Sequence, residues 1–160
     1  EALTWGAQFV GQGQAYLPGS RRSPLGRDDF DGNLLTHDRR RWLRDCAVLE
    51  AAPELAVGGP TYGWLRAALN SFAKFRNLKE GTAFKCPVMA VLAGRDQVVD
   101  NQAARDLSRR ASSFATVTIG ESKHEILTET DDIRSQFFAV LDDFLNLHPA
   151  SKPVKIAFAS

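Results

Sequence analysis

Asp96 and His124 are the two residues whose types and positions could do chemistry together. Each lies a few residues past a run that reads as a strand: Asp96 follows Pro87 to Ala93 (PVMAVLA), and His124 follows Ala115 to Ile119 (ATVTI). In open parallel sheets ligands bind outside the carboxyl ends of the strands, so both side chains should emerge on the same rim. A carboxylate beside an imidazole fixes its tautomer and stabilises the imidazolium formed when the other ring nitrogen takes a proton. Such a pair is useful only with a nucleophile. Asp96 alone is equally well a turn residue after a strand, and His124 alone a residue packed near the last helix; their shared rim is what points to chemistry. His37 and His148 stand at a helix start and a helix end, where interaction with the helix terminus is sufficient explanation, and neither is assigned chemistry.

The elements that must position this pair follow from periodicity. Leu3, Trp5, Phe9 and Val10 predict a short helix over 2–10, and residues 20–33 are too polar and broken for anything but a loop. Thr36 is the expected N-cap of a helix with Trp42, Cys46 and Leu49 on one face, ending near Pro53. After Gly58-Gly59-Pro60, Thr61 can cap a second helix with Tyr62, Leu65, Leu69, Phe72 and Phe75 on a broad apolar face. The continuous apolar run 87–93 predicts a strand buried on both faces. Asp100 then caps a helix whose inward stripe is Ala103, Ala104, Leu107 and Ala111, and ATVTI is the second strand. Thr130, Asp131 and Asp132 open a last helix running to about Leu147, and the tail beyond His148 is left unassigned. Strand, helix, strand, helix predicts two parallel strands with a right-handed crossover. Two strands are not a sheet, because open edges leave unpaired backbone groups, so this half reads as the end of a larger one.

Composition sets the outer bounds. The 160 residues are 44% hydrophobic and 24% charged, which fits one globular domain and excludes disorder and collagen. No apolar run is long enough to span a membrane, and the first residues do not read as a signal peptide. A net charge of +1 supplies no argument for nucleic acid. Cys46 and Cys86 lack the spacing of a zinc site or a secreted disulfide framework, so no metal is expected and a reducing, cytoplasmic setting is. Seven arginines between 21 and 44 outnumber the four aspartates there by three, a charge that could face lipid head groups. The expected reading is a solvated helix face, with Arg39, Arg40 and Arg41 opposite the Trp42 stripe.

Four segments resemble the α/β-hydrolase fold, and within it the lysophospholipase and monoacylglycerol lipase-like serine hydrolases with a helical cap: Asn33 to Asp38 (NLLTHD), Gly58 to Leu65 (GGPTYGWL), Pro87 to Asp96, and Ser122 to Leu127 (SKHEIL). The resemblance spans roughly Ala15 to Leu147. It implies an α/β fold, the C-terminal portion of the hydrolase with the helical cap in 1–80, the final βαβα unit in 81–148 and a tail in 149–160. It implies Asp96 as triad acid and His124 as triad base, Tyr62 and Trp64 as substrate-pocket candidates, and no cofactor. The nucleophile of these enzymes sits in a Gly-x-Ser-x-Gly elbow that precedes the acid and the histidine in the chain. No such motif occurs. The nearest, Gly120-Glu121-Ser122-Lys123-His124, fails at its last position and follows Asp96, so Ser122 reads as a turn residue. The first residue is Glu1 and the one methionine is Met89, so the expectation is a nucleophile-free fragment, inactive alone. Its parent would hydrolyse a lysophospholipid or monoacylglycerol. The expected partners are that lipid or ester substrate, the missing N-terminal half and a membrane surface met peripherally; a strand-swapped dimer is also open. Other chemistry on the fold (peptidase, haloalkane or epoxide hydrolase) and a non-catalytic module pairing through its sheet edge are the alternatives.

Overall fold

The computed structural model describes residues 12–20 and 29–149; the helix expected over 2–10, part of the 20–33 loop and most of the tail lie outside that range. The first described helix, α1 (Arg39–Ala51), starts later than expected. Asp38 is its cap, with Oδ1 accepting from the amides of Arg40 (2.9 Å) and Arg41 (3.1 Å). Thr36 is excluded from that role because its hydroxyl is already engaged, donating to the carbonyl of Thr128 (2.8 Å) and accepting from the amide of Asp38 (2.9 Å). Trp42 is the buried residue of α1, with the ring of Phe30 edge-on to it at 5.7 Å. A short 3-10 turn, Pro53–Leu55, ends this unit.

Thr61 caps α2 (Tyr62–Arg76) as expected, accepting from the amide of Trp64. Segment 12–17 lies against its start, where Gly63 donates to the carbonyl of Gly13 (2.8 Å) and Tyr62 to that of Ala15 (3.1 Å). The aromatic face of α2 is not core, however. Phe72 and Phe75 are exposed and Leu65 and Leu69 half-buried, because the described residues place no layer over this face.

Strand β1 (Val88–Ala93) pairs in parallel with β2 (Phe114–Ile119), in register from Val88 opposite Phe114 to Ala93 opposite Ile119. Between them lies α3 (Gln102–Arg110), which buries Leu107. Its cap residue is Asn101, one position beyond the expected Asp100. Asp100 still accepts from the amide of Gln102, while the Asn101 side chain donates to the carbonyl of Ala93 at the strand end (2.7 Å). A 3-10 turn, Ile126–Thr128, precedes α4 (Asp131–Leu147), which opens at Thr130 and ends where expected. β1 reads as a strand buried on both faces, yet only Leu92 and Ala93 are buried; Val88 to Val91 remain half-exposed in this two-stranded sheet. The tightest packing lies at the carboxyl end of the strands, with Leu92, Ala93 and Ile119 buried there.

Candidate active site

A glycine, Gly94 or Gly120, follows each strand at that rim. The amide of Gly94 donates to the carbonyl of Ile119 (2.8 Å) and that of Arg95 to Ser122 (2.9 Å), so the pairing of β1 and β2 continues into the two loops. Arg95 and Glu121 add an ion pair across them at 2.5 Å. From these loops the two candidate residues meet: Nδ1 of His124 lies 2.8 Å from Oδ2 of Asp96. The Asp96 side chain is 4% exposed and that of His124 32%. The other oxygen of Asp96 accepts from the amides of Val98 (2.8 Å) and Val99 (3.1 Å). Burial opposes the charge of Asp96, but the bonds from His124, Val98 and Val99 and the field of His124 outweigh it, holding the carboxyl below the usual carboxylate range. An ionised carboxylate only accepts, so the proton of the pair sits on Nδ1 and leaves Nε2 as the basic nitrogen.

Ser122 is fully buried, and its hydroxyl donates to the carbonyl of Lys123 (2.7 Å). That is turn chemistry, with the oxygen turned away from solvent. Tyr62 is half-buried and Trp64 exposed at the start of α2. Neither lines the cavity of about 610 Å³ between Val88, Phe114 and Phe144 or that of about 550 Å³ between Phe72, Phe75 and Leu107.

A second carboxylate–histidine pair went unread in the sequence. His37 faces Glu129 rather than its own helix terminus, with Nδ1 2.8 Å from Oε1 of a carboxylate that is completely buried. Burial again opposes the charge, and the amides of His37 and Lys123 with the His37 ring overcome it, so Glu129 is held below its ordinary range. Arg41 closes the group. Its guanidinium bonds Asp38 (2.6 Å), Asp131 (2.5 Å) and the main-chain carbonyl of Glu129 (2.6 Å), and only 14% of the side chain is exposed. Arg40, 82% exposed, fits the expected solvated face, but Arg41 does not, because two carboxylates and a carbonyl converge on it. Asp38 is likewise held low: burial raises it, and the amides and charges of Arg41 and Arg40 more than offset that.

These three buried carboxylates bind a proton less readily folded than unfolded. Their contribution to stability is therefore complete above the unfolded carboxylate range near about 4 and is lost as pH falls through the lower folded values. We expect the urea midpoint, followed by tryptophan fluorescence, to drop steeply below about pH 4. The drop should be shallower in Glu129→Gln, which has no carboxylate to protonate there; equal slopes would remove Glu129 from this account.

A parallel strand pair flanked by helices, with an acid and a histidine meeting past the carboxyl ends of the strands, defines a portion of an α/β hydrolase. Residues 7–131 match the family described as serine aminopeptidase S33, and the chain belongs to that family. It is 32% identical over 126 residues to lysophospholipase L2 of Escherichia coli K12, covering 74% of this chain and 36% of that protein. It is 24% identical over 139 residues to the probable lysophospholipase L2 of Haemophilus influenzae, covering 87% of this chain and 43% of that one. In structure it is similar to a soluble variant of monoglyceride lipase from Saccharomyces cerevisiae crystallised with a substrate analog: TM-score 0.54, 17% identity, 76% of this chain and 43% of the other. The chain thus spans less than half the length of the relatives it matches. No helix among the described residues is long and apolar enough to cross a membrane.

Proposed function

We propose that this chain is the acid- and base-bearing part of a carboxylic-ester hydrolase acting on lysophospholipids or monoacylglycerols. One observation carries the reading. Oδ2 of a buried Asp96 lies 2.8 Å from Nδ1 of His124, an arrangement in which an ionised carboxylate keeps the proton on Nδ1 and leaves Nε2 free to take one. In the reaction, Nε2 would accept the proton of a serine hydroxyl as its oxygen attacks the ester carbonyl, then deliver it to the departing alcohol. Water repeats the sequence on the acyl-enzyme, releasing the fatty acid and restoring the serine. Asp96 stays ionised throughout and stabilises the imidazolium. The serine and the oxyanion-hole amides belong to the intact parent and not to residues 1–160, a reading supported by the buried hydroxyl of Ser122 and the absence of a Gly-x-Ser-x-Gly elbow from the sequence. Within the same proposal, 1–80 is the cap and the return to the core, 81–148 the end of the hydrolase core and 149–160 a tail.

In the intact parent, His124→Ala should lower kcat for a monoacylglycerol or lysophospholipid by more than about 10⁴-fold, with the protein still folded by circular dichroism. Retained turnover would remove His124 from the mechanism. The family description favours a second reading, a peptidase. A panel of fatty-acyl esters and aminoacyl amides separates the two, and we expect turnover on the esters.

A further inference from the structure

Segment 33–38 runs alongside the loop that carries His124 and is bonded to it almost residue by residue. The Lys123 ammonium donates to the carbonyl of Asn33 (2.9 Å), the amide of His124 to Leu34 (3.4 Å) and that of Glu125 to Leu35 (2.9 Å). The Thr36 hydroxyl then meets the carbonyl of Thr128, and the amide of His37 meets Oε2 of Glu129 at 2.9 Å. Asn33 folds this segment into shape, its side-chain oxygen accepting from the amides of Leu35 and Thr36 (2.9 Å each).

Glu129 is where both strands of this stitch end. Oε1 accepts from the amide of Lys123 (2.8 Å) and faces the His37 ring; Oε2 accepts from the amides of His37 (2.9 Å) and Thr130 (3.3 Å). The Lys123 bond closes the 123–129 loop on itself, immediately before the histidine whose ring must meet Asp96. We propose that Glu129 is a positioning residue of the hydrolytic site: its buried carboxylate ties the His124 loop to segment 33–38 and thereby sets where the imidazole stands. This rests on the ester-hydrolase reading, since it assigns Glu129 a role through His124.

The chemistry of the partners makes the carboxylate hard to replace. Every group facing it donates, and each oxygen takes at least one backbone amide. Glutamine keeps the shape but must turn an NH₂ toward one of those sets of donors, leaving buried amides unpaired. A displacement of about 1 Å at a reacting group costs on the order of 10²-fold in rate, so the loosened loop should appear in kcat.

The test uses the intact parent and four variants. In Glu129→Gln and the shortened Glu129→Asp, kcat should fall by about 10- to 100-fold with KM within about threefold, because the substrate surface is untouched while the base is misplaced. Leu107→Ala, a cavity in the buried face of α3, serves as the stability control and should keep kcat within about twofold despite a lower Tm. A kcat within twofold of wild type in the Glu129 variants, or a loss no larger than in Leu107→Ala, overturns the proposal. The downfield Nδ1 proton of His124, assigned through its loss in His124→Ala, gives a readout independent of turnover. It should broaden or shift upfield in both Glu129 variants and stay in place in Leu107→Ala; an unmoved resonance in the Glu129 variants also overturns the proposal. Should His124→Ala retain full turnover, the hydrolytic reading fails and the proposal fails with it, whereas loss of turnover in His124→Ala with unchanged Glu129 variants defeats the positioning role alone.

Discussion

Asp96→Asn should be nearly as damaging to turnover in the intact parent as loss of His124 itself, with kcat reduced by about 10⁴-fold, the scale seen when the acid of a Ser-His-Asp triad becomes an amide. The reason lies in what surrounds the carboxylate. One oxygen faces the Nδ1 proton of His124 and the other faces the amides of Val98 and Val99. An asparagine has one acceptor and one donor end, so it cannot satisfy both sides. With its oxygen toward Val98 and Val99, its NH₂ meets Nδ1, which must then become the acceptor; the proton moves to Nε2 and the base is lost. With the NH₂ toward Val98 and Val99, three donor groups crowd together and both backbone bonds are lost. The first arrangement keeps two backbone bonds and is the one we expect. It yields a folded protein with the wrong histidine tautomer. The nitrogen-15 shifts of the imidazole would report the exchange of protonated and bare nitrogens, and a variant that keeps both its tautomer and its kcat would show that Asp96 is not the acid.

The residues of this pair were legible because each rests on local pattern. An apolar run and a β-branched run give the strands, and Asp96 and His124 fall at the ends of those runs whatever packs around them. Ends of helices were read less well. Thr36 and Asp38 both have side chains that can cap, and Thr36 instead bonds Thr128, 92 residues away, while Asp38 takes the role. The start of α3 falls at Asn101, one residue late, because the Asn101 side chain is drawn to the carbonyl of Ala93, while the side-chain bond to the Gln102 amide stays with Asp100. Glu129 and Arg41 left no local trace. A glutamate before a helix looks like an ordinary first-turn acid, and an arginine in a run of three looks solvated. Their burial follows from contacts about ninety residues apart, which no periodicity encodes. The aromatic stripe of α2 failed in the other direction: helical spacing reports a face meant for burial, and the described residues do not include what would bury it.

The fastening of the two strand ends predicts an asymmetry between two glycines that the sequence alone would treat alike. A Cβ on Gly94 would stand 2.2 Å from the carbonyl oxygen of Gly120 and 2.7 Å from its carbonyl carbon and Cα. All three are backbone atoms, so no side chain can swing aside; β1 and β2 must part where Asp96 and His124 leave them. A Cβ on Gly120 meets nothing within 4 Å. Neither glycine has the positive φ that would bar alanine on conformational grounds, so the contrast is one of space. Gly94→Ala should cost about 1–3 kcal/mol or more, the range for forcing extra atoms into a packed site, and lower Tm by several degrees. Gly120→Ala should be neutral or slightly stabilising, because alanine restricts the unfolded chain at no cost to the fold. The same displacement should reach the chemistry. Parting the strand ends breaks the bond from Gly94 to Ile119 and lengthens the 2.8 Å contact between the acid and the base, so kcat in the intact parent should fall for Gly94→Ala and hold for Gly120→Ala. Thermal melts and ester turnover on the two variants side by side decide it. Equal behaviour of the pair would mean that the strand ends are not in the close contact on which the geometry of the site depends.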